Sequence, residues 1–433
     1  MTTLTAPATP IIPEPATVAE IGIDPGVLMD LTLKTMFYRG RMTRSELCDA
    51  LKVSGAVMQE LMQSLTQDNL ASVLGSEGTG PAGYQYALTQ KGIDRADAAL
   101  ARSGYVGPAP VPLMDYIAQV RAQTIGETTV TSERVLEALH GLVLSEETVS
   151  RIGRAAGSGR STLIHGASGN GKTTVVRALG AAVEGTIQIP YAIEMVGQIV
   201  HLFDISKHKI IEDPEQVGGL MKTRSDRRWI RIRRPVIWAG GELTRHSLEL
   251  MYDENTKVYE APLQLKANGG TLIIDDFGRQ QIPAVQLLNR WIVALEGGVD
   301  HLTLHTGQTI EVPFDVLVLF STNLPPERLA DEAFLRRIRY KVELPNPTRD
   351  EYRTIFHHEC DARGVSYSNA AVDHLIDHWY DAHDRPLRGC HPRDLVEAIV
   401  DAAQYDKCKP ELTVLALDEA CNTYFLRSMN APA

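Results

Sequence analysis

Residues His165–Thr174 read HGASGNGKTT, and Gly166, Gly171, Lys172 and Thr173 fit the spacing G-x-x-x-x-G-K-[ST]. An apolar run, TLIH, leads into this stretch, and TTVVRALGAAV, with helical periodicity, leads out of it. Strand, glycine-rich loop and helix in that order let backbone N–H groups curl around a phosphate without Cβ clashes. The helix N-terminus adds a favourable dipole. Gly166, Ala167, Ser168, Gly169, Asn170, Gly171, Lys172, Thr173 and Thr174 are therefore the candidate nucleotide cradle. Lys172 is placed to neutralise β- and γ-phosphate oxygens, and the Thr173 hydroxyl to ligate Mg²⁺.

A second stretch answers the first. Residues 271–276 read TLIIDD, a buried-strand pattern ending in two carboxylates. Asp275 is placed to hold the Mg²⁺ through water, and Asp276 to orient and polarise an attacking water. Further on, the apolar run DVLVLFSTN (315–323) ends in Asn323. It is followed by DEAFLRRIRYKVELP (331–345) and RGCHPRDL (388–395).

Taken in this order, residues 130–425 resemble the AAA+ ATPase superfamily. The resemblance implies an α/β fold: a P-loop αβα core with a parallel sheet over residues 131–345, and a C-terminal α-helical lid over 346–428. It implies ATP and Mg²⁺ as cofactors and a homo-oligomeric ring, of six subunits in the family's usual form. Asn323 takes the place of the sensor-1 residue, and Arg393 that of sensor 2. Arg337, with Arg336 second, takes the place of an arginine finger that touches the neighbouring subunit's γ-phosphate. Most relatives carry Glu where this chain has Asp276. The side chain is one CH₂ shorter, so hydrolysis is expected to be slow or the water to be held differently.

A narrower likeness lies in a hairpin-like insert, HLTLHTGQTIEVPF, ahead of Asn323. It resembles the branch with magnesium-chelatase subunits and bacterial enhancer-binding activators, and the long stretch 190–265 fits further insertions. The activators' GAFTGA loop is missing from the chain, and Asp331 stands where they tend to carry arginine. Both departures argue against activation of an alternative sigma factor.

Ahead of the core, residues 24–104 read as helix, helix, helix, hairpin and helix, the order of a winged helix-turn-helix domain. Thr43 with Glu46 forms a capping-box pattern, Ser54 can cap the third helix, and the turn-rich GTGPAG joins two β-like pieces. Between Val27 and Gly104 eight basic residues face eight acidic ones, and the third helix carries Glu60 and Asp68 but no cation. DNA phosphates are normally met by several cations, so this unit reads as a dock for a protein partner before DNA. Residues 105–130 read as a proline-stiffened linker and helix. Residues 1–23, rich in Pro, Thr and Ala, read as a disordered leader.

Composition narrows the setting. The 433 residues suit two or three domains, and a net charge of −11 means that only a local patch could hold nucleic acid. The candidate patch is KTRSDRRWIRIRR, 222–234, with seven basic residues and one acid. Its alternation sets Arg231 and Arg233 on one strand face, either lining a central pore or forming a solvated, salt-bridged surface; the second is the favoured reading. The histidines at 357, 358, 374, 378, 383 and 391 fit structural roles better than metal ligation. No cysteine sits in a CxxC pair, no apolar run reaches membrane-spanning length, and no basic-then-apolar signal opens the chain. A cytoplasmic location without membrane insertion follows. The combined expectation is a ring-forming ATPase that remodels a macromolecule held by the N-terminal unit. The alternatives are an ATP-dependent DNA-binding regulator and a slow ATP-gated scaffold.

Overall fold

The computed structural model describes residues 12–76, 84–125, 130–212, 225–329 and 332–425. At its centre lies a five-stranded parallel sheet in the order Val236–Ala239, Gly270–Ile274, Val316–Thr322, Thr162–His165 and Tyr340–Glu343. Helices cover both faces, which is why the strands are near-continuous apolar runs. Ser132–Ala138, Glu146–Gly157 and Lys172–Ala182 pack one face through Val135, Ile152, Val175 and Leu179. Ala284–Gly297 packs the other, with Trp291 in a cluster containing Phe277 and Phe320. The fold is α/β with a parallel sheet. The strand preceding Asp275 is not the neighbour of the strand preceding Gly166. Val316–Thr322 lies between them, pairing Phe320 with Ile274 and Thr322 with His165. The chain exits leading to Asp275, Asn323 and Gly166 therefore share one end of the sheet, the end where open parallel sheets bind ligands.

The N-terminal unit comprises Pro25–Arg39, Arg44–Leu51, Gly55–Gln67 and Gln90–Arg102, with an antiparallel sheet ordered Met42–Thr43, Tyr84–Leu88, Ala71–Ser76. Thr43 and Glu46 cap the second helix reciprocally, and Ser54 accepts from Val57 N. Leu28, Leu31, Leu47, Val57 and Leu61 share its core. The turn 78–83 lies outside the described residues.

The expected leader and the expected linker are both packed. Residues 1–11 lie outside the described part, but 12–23 do not form a disordered leader. Ile21 is fully buried with Val18 and Ile23 beside it. Ser54 Oγ donates to Pro15 O at 2.8 Å, and Val18 N to Glu60 Oε2 at 2.9 Å. Proline lacks an N–H, so an extended proline-rich segment can lie against a protein surface with few donors left unsatisfied. The supposed linker is no spacer either. Tyr105, Ala109 and Val111 are buried, Gly104 N donates to Thr256 O, and Ala109 N to Leu51 O, each at 2.8 Å. Val111–Pro112 is an edge strand of a second sheet, ordered Met251–Asp253, Val258–Glu260, Gln198–His201, Ala192–Met195, Val111–Pro112. Ala192 and Ile199 of that sheet belong to the core of the N-terminal unit. The unit is fixed to the body of the protein.

The basic stretch supplies much of this fixing. Arg228 is 3 % exposed and chelates Asp226, while its NH1 donates to Ile21 O at 3.0 Å and Pro110 O at 3.2 Å. Arg227 pairs with Asp49 at 2.5 Å, and Arg234 donates to Gly269 O and Gln123 O. Arg231 donates to Thr186 Oγ1 at 3.0 Å across the strand pair Thr186–Pro190 and Trp229–Arg233; Arg233 is exposed. Lys222 and Arg224 lie outside the described residues. The insert Val299–Thr303 with Thr309–Pro313 is a hairpin, yet its Leu302, Leu304, Ile310 and Val312 are buried with Val200 and Tyr259. His305 at its turn stacks on Tyr252 at 4.2 Å.

Beyond the core, Arg349–Arg363, Asn369–Leu375, His391–Tyr405 and Val414–Tyr424 gather around Tyr352, Phe356, Leu395 and Leu417. Among the described residues no helix is long and apolar enough to cross a membrane.

Candidate functional site

The loop after Thr162–His165 takes a shape that side chains would block. Gly166 has φ 142° and Gly169 φ 85°. A Cβ on Gly166 would stand 2.3 Å from Leu344 O, and one on Gly169 2.4 Å from Cys390 Sγ. The helix Lys172–Ala182 starts from Gly171 with no side-chain cap, so its first-turn N–H groups remain available for an anion. Ser168 in the loop and Thr173 and Thr174 in the first turn of the helix are exposed. Lys172 is 8 % exposed and donates to Ala167 O at 2.8 Å. Burial pulls its ammonium below the ordinary lysine range. Asp276 and Asp275 pull the other way, and Arg388 adds to the lowering.

The acids converge on the same place. Asp275 Oδ1 accepts from Thr173 Oγ1 at 3.2 Å, from Asp276 N at 3.1 Å and from Ser321 Oγ. Gln280 Nε2 fixes the turn by donating to Asp275 O at 2.7 Å. Ser321 and Gln280 escaped the sequence reading. The available signal was two hydroxyl residues, Ser321 and Thr322, closing an otherwise apolar strand. Asp276 has φ 51°, a left-handed conformation that Asp tolerates better than most residues. It therefore sits on a turn, its charge acting on Lys172.

Asn323 follows the strand between these two motifs, and its Oδ1 is buried without a hydrogen-bond partner among the described residues. A buried orphan acceptor costs about 1–3 kcal/mol, so the position makes physical sense when a ligand or ordered water donates to it. The uncapped helix and the glycine cradle fit a phosphate, and this orphan oxygen fits a water or cation beside it. Lys172, Thr173 and Asp275 are the residues that would hold them.

The arginines are distributed differently from the sequence expectation. Arg337 is 18 % exposed, with Nε 3.0 Å from Glu296 Oε1 of its own chain. Arg336 next to it is exposed. Arg393 pairs with adjacent Asp394 at 2.8 Å and is 55 % exposed. Arg388, from the same RGCHPRDL motif, lies beside the loop. Its Cβ lies 3.7 Å from where a Gly169 Cβ would stand, and its NH1 donates to Asn346 Oδ1 at 2.7 Å.

Several of the C-terminal histidines have protein partners. His374 stacks on His378 and its Nε2 lies 3.0 Å from Asp418 Oδ1, which also accepts from Trp379. Among the described residues no group of three His, Cys, Asp or Glu is placed to hold a metal. His391 Nδ1 is hydrogen-bonded to Tyr380 OH at 2.8 Å, and Tyr380 OH lies 2.6 Å from Tyr352 OH. Burial pushes the imidazole down to about 4. The folded state thus refuses a proton that the unfolded chain accepts at the ordinary value of roughly 6.5. This contributes stability above that value, lost as pH falls towards 4. Urea unfolding at pH 7 and pH 5 is expected to show a loss on acidification that His391→Gln reduces.

Comparison with known proteins adds a distant frame. Residues 348–423 match the family model described as a domain of unknown function (DUF8689). No curated protein matches. Among solved structures, NtrX from Brucella abortus in complex with ATP is similar at 16% identity and TM-score 0.39, over 64% of this chain and 55% of that one. The RuvB Holliday junction branch migration motor of Thermotoga maritima is similar at 14% identity and TM-score 0.36, over 70% and 72%. The chain spans about half the length of the NtrX structures it matches. Likeness this remote leaves the functional reading on the geometry of the site.

Proposed function

We propose that the chain is an AAA+ ATPase that binds MgATP at the sheet end formed by the phosphate loop, Asp275 and Asn323. The observation that carries this reading is the meeting of Lys172, Thr173 and Asp275, with Thr173 Oγ1 3.2 Å from Asp275 Oδ1. Loop N–H groups hold the β-phosphate, and Lys172 exchanges its Ala167 carbonyl for phosphate oxygens. Thr173 and Asp275 hold the cation, which when bound supplies positive charge to the β- and γ-oxygens. Asp276 accepts the proton of the attacking water, and Asn323 orients that water.

Subunits form a ring, a hexamer in the usual form of the superfamily, so that an arginine of one reaches the next subunit's site. Arg336, being exposed, suits that role better than Arg337, which Glu296 holds within its own chain. Arg388 takes the lid-side position in preference to Arg393. The N-terminal unit acts as a winged helix that docks a protein partner. Because its core is continuous with the second sheet, the docked partner moves with the ATPase body.

Phosphate release tests the reading. Arg336→Ala is expected to slow turnover by about 10³-fold or more with ATP binding retained, as for arginines acting in trans. Arg337→Ala is expected to affect stability more than turnover. Asp276→Ala is expected to abolish release. Equal, near-zero release by Asp276→Ala and the unaltered protein would support the second reading, a slow ATP-gated scaffold. The left-handed turn and short side chain at Asp276 favour that reading.

A further inference from the structure

One residue of the phosphate loop turns its side chain away from the cradle. Asn170 is 9 % exposed and lies between Gly169 and Gly171, both left-handed. Its Nδ2 donates to Pro345 O at 3.1 Å and to Asn346 Oδ1 at 2.9 Å, and its Oδ1 accepts from Gly389 N at 3.3 Å. Pro345 and Asn346 join the edge strand Tyr340–Glu343 to the helix Arg349–Arg363, the only covalent route from the core to the C-terminal helices. Gly389 lies in the loop that precedes His391–Tyr405. Arg388 completes the cluster through the same Asn346 Oδ1 at 2.7 Å. One carboxamide thus ties together the phosphate loop, the hinge and the C-terminal unit.

The contact is close as well as bonded. A Cβ on Gly389 would stand 3.2 Å from Gly169 O, and Cys390 Sγ abuts Gly169. Residues 388–390 therefore pack directly against the loop backbone. Asn is suited to the position because it offers two donors and an acceptor. Asp lacks the donors and would face the carbonyl of Pro345 and Oδ1 of Asn346.

We propose that Asn170 is a latch: a positioning residue that couples phosphate occupancy of the loop to closure of the C-terminal helical unit. This rests on the nucleotide reading above. Nucleotide that fixes the loop in this shape favours the closed unit, and closure favours nucleotide by the same factor. Two hydrogen bonds link Asn170 to the hinge and one to the unit, so removing the side chain is expected to weaken nucleotide binding roughly tenfold. Asn346 is exposed and belongs to the hinge, so Asn346→Ala removes part of the same network from outside the loop.

The test uses the full chain and MgADP, combining calorimetry with hydrogen–deuterium exchange. In the unaltered protein MgADP is expected to protect both the loop and residues 388–395. In Asn170→Ala the nucleotide should still protect the loop, with affinity about tenfold weaker and without protection reaching 388–395. Asn346→Ala should share the defect, and the double variant should lose little more than Asn170→Ala alone. Wild-type affinity and undiminished protection at 388–395 in Asn170→Ala would overturn the latch alone. So would fully additive losses in the double variant. No MgADP binding by the unaltered protein would overturn the nucleotide reading and the latch with it.

Discussion

Lys172→Ala is expected to weaken MgATP binding by at least about a hundredfold while the protein remains folded. The side chain lies inside the loop, 8 % exposed, and its ammonium rests on the Ala167 carbonyl. Hydrogen bonds to charged groups contribute about 1.5–3 kcal/mol each, and two phosphate oxygens lost together correspond to roughly 10²–10⁴ in affinity. Without nucleotide the same ammonium is a burden, since burial already pulls it below the ordinary lysine range. Alanine should therefore leave the unliganded unfolding midpoint unchanged or slightly raised. Calorimetry reads the first effect and urea unfolding the second. Unchanged affinity would remove Lys172 from the site.

The second large effect lies far from the phosphate loop. Arg228→Ala is expected to destabilise the protein by about 3–5 kcal/mol, the cost of leaving one partner of a buried ion pair uncompensated. Asp226 is as buried as Arg228, and the substitution also strips a donor from the carbonyls of Ile21 and Pro110. Those carbonyls belong to segments that join the N-terminal unit to the second sheet. Cleavage by a protease should consequently appear around residues 105–112 before the core is attacked. A loss below about 1 kcal/mol, with no new cleavage there, would mean that the N-terminal unit is held by its apolar core alone.

These sites differ in how far a reader of the sequence could reach them. The phosphate loop and the TLIIDD strand are local patterns: residue type, spacing and flanking periodicity all lie within a dozen positions. The caps at Thr43 and Ser54 are equally local, and they stand where the sequence puts them. What joins the motifs is not local. Ser321 reaches Asp275, and Asn170 reaches Asn346, only because the parallel strand order brings distant chain exits to one edge. The leader and linker misled for a different reason. Proline signals a missing N–H, which serves a packed extended segment as well as a disordered one. Arg228 misled through its company: within seven cations over thirteen residues it reads as solvated, whereas Asp226 and two carbonyls make its burial tolerable. Arg393 fits the motif, and the motif does not show that it also pairs with Asp394.

The central claim is that Lys172, Thr173 and Asp275 jointly grip a triphosphate and its magnesium ion. Titrating the purified full chain with ATP, with and without millimolar magnesium, tests it most directly. One saturable nucleotide per chain is expected, bound more tightly with magnesium, and Asp275→Asn is expected to lose that magnesium advantage. No binding heat in the unaltered protein, or an affinity indifferent to both magnesium and Asp275, would contradict it.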